Sequence, residues 1–269
     1  MSSGNNNSIV KTSNNSDGIL RITLNNPKNH NALSEEMMLS IQLALDEAAV
    51  DNKIRIIIIS AEGPTFSAGH DLKELKAGRK NSDKGKGYFK EVMLKCSKLM
   101  QSIVNNPKPV ISEVAGVATA AGCQLVASCD LAYAGESAKF ATPGVNIGLF
   151  CSTPMVALSR NVSNKHSMEM LLTGDLISSS KAAEIGLINK MINDNDLQNF
   201  VLERALKISK KSAMTLKIGK EAFYKQINMT LSEAYDYASN VMVENMLKLD
   251  AEEGIDAFIN KRKPNWQDK

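Results

Sequence analysis

The sequence predicts an α/β fold, and three observations carry the prediction. Strand-length apolar runs, chief among them Ile54–Ile59, are rich in β-branched residues and read as strands buried on both faces. Two such runs lead into small-residue turns that open a helix, FSAGHDLKEL at 66–75 and AGVATAAGCQL at 115–125. From residue 195 onward the pattern is almost wholly helical. Repeated strand–turn–helix order is the mark of helices laid on a sheet. The chain therefore divides into an unstructured or targeting N-terminus over 1–16, an α/β core over 17–194 and a helical region over 195–269.

Each element has its own signal. Residues 1–16 are rich in Asn and Ser, without the apolar core of a secretory signal or the arginines of a typical transit peptide. Gly18–Leu24 alternates as a half-buried strand, which Asn25-Asn26-Pro27 ends. Ser34 suits an N-cap, followed by Glu35 and Glu36 at the positive helix end. Met37, Ile41, Ala44, Leu45 and Ala48 then recur at helical spacing. Glu62-Gly63-Pro64 breaks the Ile54–Ile59 strand. Asp71 and Glu74 have capping-box spacing for a short helix, and Lys76–Gly87 reads as a loop before a longer helix that runs to about residue 104. Val110–Ala115 and Asp130–Ala134 are further strands. The C-terminal helices are expected over Leu197–Ser209, Met214–Gln226, Leu231–Leu249 and Glu253–Lys261.

Composition narrows the function classes. The net charge of +3, from 32 basic and 29 acidic residues, gives no footprint for nucleic acid or an anionic membrane. No apolar run reaches membrane-spanning length. Cys96, Cys123, Cys129 and Cys151 lack metal-ligand spacing and read as core thiols of a reducing compartment, and no metal or phosphate-loop motif is present. What remains is the pair of small-residue turns. Both offer unencumbered backbone N–H groups, which is what a site needs to hold negative charge developing on oxygen.

Ile111–Leu131, together with Asn26-Pro27, Asn31-Ala32-Leu33, FSAGHDL and the C-terminal FINKRKPNW, resembles the signature segments of the enoyl-CoA hydratase/isomerase (crotonase) superfamily, from about Asp17 to Trp266. The resemblance implies a crotonase-like spiral of ββα units with a C-terminal helical trimerisation region, assembled as a trimer or a dimer of trimers. It implies an acyl-CoA thioester ligand, with no cofactor beyond the coenzyme A of the substrate. The thioester oxygen is expected between the backbone N–H groups of Ala68 and Ala121. Lys28, His30, Gly69 and Asp71 are expected along the coenzyme A path, with Phe258 and Lys261 reaching the coenzyme A of a neighbouring subunit. Relatives of this branch point to the mitochondrion, with the cytoplasm as the alternative.

The acid–base positions depart from the pattern. Hydratases of this family use two glutamates, which map to Gln124 and Gly144. An amide cannot ionise and glycine has no side chain, whereas positioned acid–base groups contribute about 10²–10⁴-fold to such reactions. Weak hydration or other thioester-enolate chemistry is therefore expected. His70 sits where a decarboxylase branch of the family also carries histidine, although the tyrosine of that branch falls near Cys151. Decarboxylation of a malonyl-type CoA through His70 and acyl-CoA binding without catalysis are the alternatives, and Gln124 is a candidate for orienting the acyl group.

Overall fold

The computed structural model describes residues 8–269. The chain runs β1 (Val10–Asn14), β2 (Ile19–Leu24), α1 (Glu35–Val50), β3 (Ile56–Ala61), β4 (Thr65–Ser67), α2 (Leu72–Gly78), α3 (Lys86–Val104), β5 (Val110–Val114), β6 (Val117–Thr119) and α4 (Ala121–Ser128). It continues through β7 (Leu131–Gly135), β8 (Lys139–Ala141), α5 (Pro154–Leu158), α6 (Asn164–Thr173), β9 (Ile177–Ser178), α7 (Ser179–Glu184) and β10 (Lys190–Ile192). The last helices are α8 (Leu197–Ser209), α9 (Ala213–Gln226), α10 (Leu231–Met246) and α11 (Leu249–Ile259). Each turn of the core lays one strand in a larger sheet, of order β1-β2-β3-β5-β7-β10, and the next in a smaller one, of order β4-β6-β8-β9. The core is thus the expected spiral of ββα units.

The isoleucine run shows why β3 is central. Ile56, Ile57, Ile58 and Ile59 are all fully buried. Alternate residues of a strand face opposite sides. Ile57 and Ile59 pack with Met37, Ile41 and Leu45 of α1 and Leu99 and Ile103 of α3, while Ile56 and Ile58 pack with Leu197, Val201 and Ala205 of α8. This corrects the division at 194/195: α8 closes the second face of the sheet and belongs to the core.

Three further expectations change. Residues 10–14 form an edge strand paired antiparallel with β2, so the part of segment 1–16 that is described is ordered, and residues 1–7 lie outside the described residues. One inward residue, Val10, and a polar remainder gave no periodicity to read. The Lys76–Gly87 loop is shorter than expected, because α2 runs to Gly78 and α3 starts at Lys86. The expected Leu231–Leu249 helix ends at Met246, and a new one begins at Leu249.

The helices α9 to α11 form the C-terminal region, and a buried ion pair ties α9 to the core. Lys220 Nζ donates to Asp130 Oδ2 at 2.7 Å and to the carbonyls of Ile103 and Lys108 at 2.9 and 3.1 Å. The Val110 N–H also donates to Oδ2, at 2.7 Å, and the Tyr224 hydroxyl donates to Oδ1 at 3.0 Å. Every charged group in this cluster is met by hydrogen bonds, which a buried charge requires.

Candidate functional site: an oxyanion pair at the edge of the small sheet

The parallel strands β4, β6 and β8 end together, with Ser67 beside Ala118 and Thr119 beside Ala141. The turns that follow them, at 68–71, 120–122 and 142–144, therefore share one edge. Small residues let the first two turns interlock. A Cβ added to Gly69, at φ +85°, would lie 3.0 Å from the Ala121 nitrogen, and one added to Gly122 would lie 2.2 Å from the Ser67 carbonyl oxygen. Ala120 adopts φ 50° and ψ −119°, a conformation L residues rarely take. Its N–H is fixed to the Ala141 carbonyl at 3.0 Å, so the neighbouring strand holds the strained residue in place.

The first turn is braced from a distance. Asn31 is fully buried, receives the Asn26 N–H at 2.7 Å and donates to the carbonyls of Glu62 and Thr65 at 2.9 and 2.7 Å. Ser67 Oγ donates to the Asn31 carbonyl at 2.8 Å. Asp71 is the N-cap of α2, receiving Lys73 N–H at 2.7 Å and Glu74 N–H at 3.4 Å. The reciprocal half of the expected capping box does not form, because Glu74 instead accepts the Glu35 N–H at the start of α1, at 3.0 Å. Asn31 was legible as a motif residue, but its role as the brace was not, since its partners lie more than thirty positions away.

In the first turn the free backbone N–H is not the expected one. The Ala68 N–H donates to the His30 carbonyl at 3.0 Å and has no proton left for a ligand. The N–H groups of His70 and Ala121 make no hydrogen bond among the described residues, and Ala120 supplies no side-chain cap at the start of α4. Of the expected candidates Ala68 and Ala121, only Ala121 has a free N–H; in the first turn the candidate donor is His70. Lys28 and His30 are exposed on the short 3-10 turn beside this edge, and His30 Nδ1 lies 3.2 Å from Thr65 Oγ1. Phe258 and Lys261 are not brought to this edge within the chain. Phe258, 86% exposed, lines a separate cavity of about 570 Å³ with Met242, Met246 and Trp266.

The His70 ring is shut from solvent at both nitrogens, and neither makes a hydrogen bond. Burial pulls its pKa below the usual 6.5, partly opposed by the nearby Leu33 backbone. The site imidazole is thus neutral at pH 7. A depressed folded-state pKa gives stability that is complete above about pH 6.5 and lost as pH falls through the lowered value. Wild-type protein should therefore lose melting temperature between pH 7 and 5 more steeply than His70→Asn; parallel slopes would refute the assignment.

Neither Gln124 nor Gly144, the two positions expected to depart in acid–base chemistry, carries a carboxylate. Gln124 is 4% exposed on α4 and lines a cavity of about 880 Å³ between α3, α4, α5 and α9. Gly144 is buried, and its N–H donates to Cys151 Sγ at 3.3 Å. A Cβ there would lie 2.8 Å from the Leu149 carbonyl oxygen and 2.9 Å from Cys151 Sγ, so segment 149–151 has closed over the position. Burial raises the thiol pKa of Cys151, partly opposed by the Gly144 N–H, which disfavours the thiolate a nucleophile needs.

Comparison with known proteins places the chain in a family. Residues 14–269 match the family model described as enoyl-CoA hydratase/isomerase. The human protein named "Enoyl-CoA hydratase domain-containing protein 3, mitochondrial" is 50% identical over 250 residues, covering 93% of this chain and 81% of the relative. "Enoyl-CoA hydratase, mitochondrial" of Pongo abelii is 32% identical over 257 residues, covering 95% and 85%. The crystal structure of human enoyl coenzyme A hydratase domain-containing protein 3 superposes with a TM-score of 0.91 at 48% identity, covering 96% of this chain and all of that one. An enoyl-CoA hydratase structure from Mycobacterium smegmatis gives 0.92 at 41% identity, covering 96% and 98%. With its motifs, spiral core and paired turns all in place, the chain belongs to the enoyl-CoA hydratase/isomerase family.

Proposed function

We propose that this chain binds an acyl-CoA thioester with the carbonyl oxygen between the His70 and Ala121 N–H groups, and that it turns over such esters by enolate chemistry other than ordinary hydration. The observation that carries the reading is an unpaired backbone donor pair beside two positions without a carboxylate. One such donor is worth about 2.7–4 kcal/mol at a transition state. Polarising a thioester carbonyl stabilises charge at the second acyl carbon. Activating water for addition at the third needs a base, and neither Gln124 nor Gly144 supplies one. Assays with short, medium and long 2-enoyl-CoAs should show hydration at least 100-fold below a glutamate-bearing family member, on the scale of one lost acid–base group. Hydration at family rates would overturn the reading.

The relatives named above as mitochondrial support the same compartment for this chain within the proposal. Self-association is supported by the C-terminal helices, where Leu231, Leu247, Phe258 and Ile259 are each at least 70% exposed. Apolar surface of this extent calls for a cover. Light scattering on the purified chain should give a trimer or hexamer, and a monomer at micromolar concentration would refute this.

One observation favours a second reaction. The neutral His70 ring beside the donor pair gives a substrate carboxylate a water-poor surface; breaking its bond to the second acyl carbon releases carbon dioxide and leaves the electron pair as the thioester enolate, which takes a proton from water. Turnover of a malonyl-type CoA that His70→Ala abolishes would establish decarboxylation; no turnover would leave the first reading alone.

A further inference from the structure

The His70 N–H shares a peptide plane with the Gly69 carbonyl, and in a trans peptide the two point in opposite directions. The Leu33 N–H donates to that carbonyl at 2.7 Å, which sets the direction of the His70 N–H. One hydrogen bond is a weak stop here, because Gly69 sits at φ +85° and glycine lets the adjoining plane turn at little cost. A second bond closes the clamp two residues on from Leu33. The Glu35 N–H, at the start of α1, donates to Glu74 Oε2 at 3.0 Å. Glu74 stands in the first turn of α2, whose N-cap, Asp71, directly follows His70. The two bonds bracket the Gly69–His70 plane between α1 and α2.

Glu74 is not one half of a surface ion pair. Lys95 is taken by Glu35 and Glu91, at 2.6 and 2.7 Å, and no Lys or Arg pairs with Glu74 among the described residues. Burial raises the Glu74 pKa above the usual carboxylate value, as do the charges of Asp71, Glu35 and Glu36, and the Glu35 N–H opposes them. The backbone N–H and the positive end of α1 are what hold this carboxylate among its like-charged neighbours. We infer that Glu74 is a positioning residue for the thioester oxygen: by clamping α2 to the first N–H of α1, it keeps the Gly69–His70 peptide from turning and the His70 N–H aimed at the ligand. This role deepens the acyl-CoA reading and rests on it.

The test is calorimetric titration of the full-length chain with butyryl- and octanoyl-CoA and with their S-butyl and S-octyl thioethers, which lack only the thioester oxygen. Wild type should bind the ester about three- to tenfold tighter than its thioether, the worth of one net hydrogen bond. Glu74→Ala should bring that ratio to about one and leave affinity for the thioether unchanged. Glu74→Gln, whose side-chain oxygen still accepts the Glu35 N–H, should keep the ratio. Glu74→Asp keeps the charge but falls one carbon short; it should lower the ratio too, and it carries the test should the alanine variant not fold. Glu36→Ala, at an exposed neighbour in the same cluster, is the control that should keep the ratio. A ratio that survives both Glu74→Ala and Glu74→Asp, or an equal loss of ester and thioether affinity, overturns the inference while leaving acyl-CoA binding intact. Failure of wild type to bind any of the compounds, or to prefer the esters, overturns the acyl-CoA reading with it.

Discussion

Replacing Asp130 with alanine is expected to cost about 3–5 kcal/mol of stability, the scale for removing one partner of a buried ion pair. Lys220 would be left with two carbonyls and no counter-charge, and Val110 N–H and the Tyr224 hydroxyl would lose their acceptor. All of these groups meet at the end of α4, where the core and α9 join. The loss should therefore appear as earlier denaturant unfolding, with α9–α11 becoming protease-sensitive first. The double variant Asp130→Leu/Lys220→Met should recover much of the stability, because it removes both charges. A single Asp130→Ala change within about 1 kcal/mol of wild type would show that the pair lies idle.

The second large effect is expected at Gly122. An alanine Cβ would stand 2.2 Å from the Ser67 carbonyl oxygen and 2.8 Å from the Ser67 Cβ. Both neighbours belong to a braced turn, since Ser67 Oγ is tied to Asn31. The clash resolves only if the two turns separate, which splits the donor pair. Gly122→Ala should therefore lose about 1–3 kcal/mol of stability through overpacking. Acyl-CoA affinity should fall at least tenfold, beyond what the stability loss explains. Gly219→Ala is the matched control: no atom lies within 4 Å of a Cβ there, it sits within α9, and alanine should stabilise that helix by up to about 1 kcal/mol. Unchanged affinity in Gly122→Ala would mean that the turns need not interlock to bind.

Local signals in the sequence were reliable where local physics decides the outcome. Ser34 caps α1 through the Met37 N–H at 3.1 Å, and Asp71 caps α2, because a capping side chain reaches only two or three residues along its own chain. Ile56–Ile59 announced a central strand because four consecutive buried isoleucines leave no solvent face. Three-residue strands such as Val117–Thr119 were illegible, since Ala and Gly around them carry no periodicity and the pairing with β4 and β8 creates the strand. The site divides the same way. The Ala121 turn was readable from small residues opening a helix. The shift of the other donor from Ala68 to His70 was not, because it follows from a carbonyl at His30, brought close by Asn31 and its long-range bonds.

The loop packed over Gly144 has a consequence for how this site could change. Supplying a glutamate at 144 alone would drive its side chain into the Leu149 carbonyl and Cys151. Gln124→Glu alone supplies one carboxylate and leaves position 144 walled over. A carboxylate at 144 therefore depends on moving segment 149–151 first, a change in backbone path rather than in one side chain.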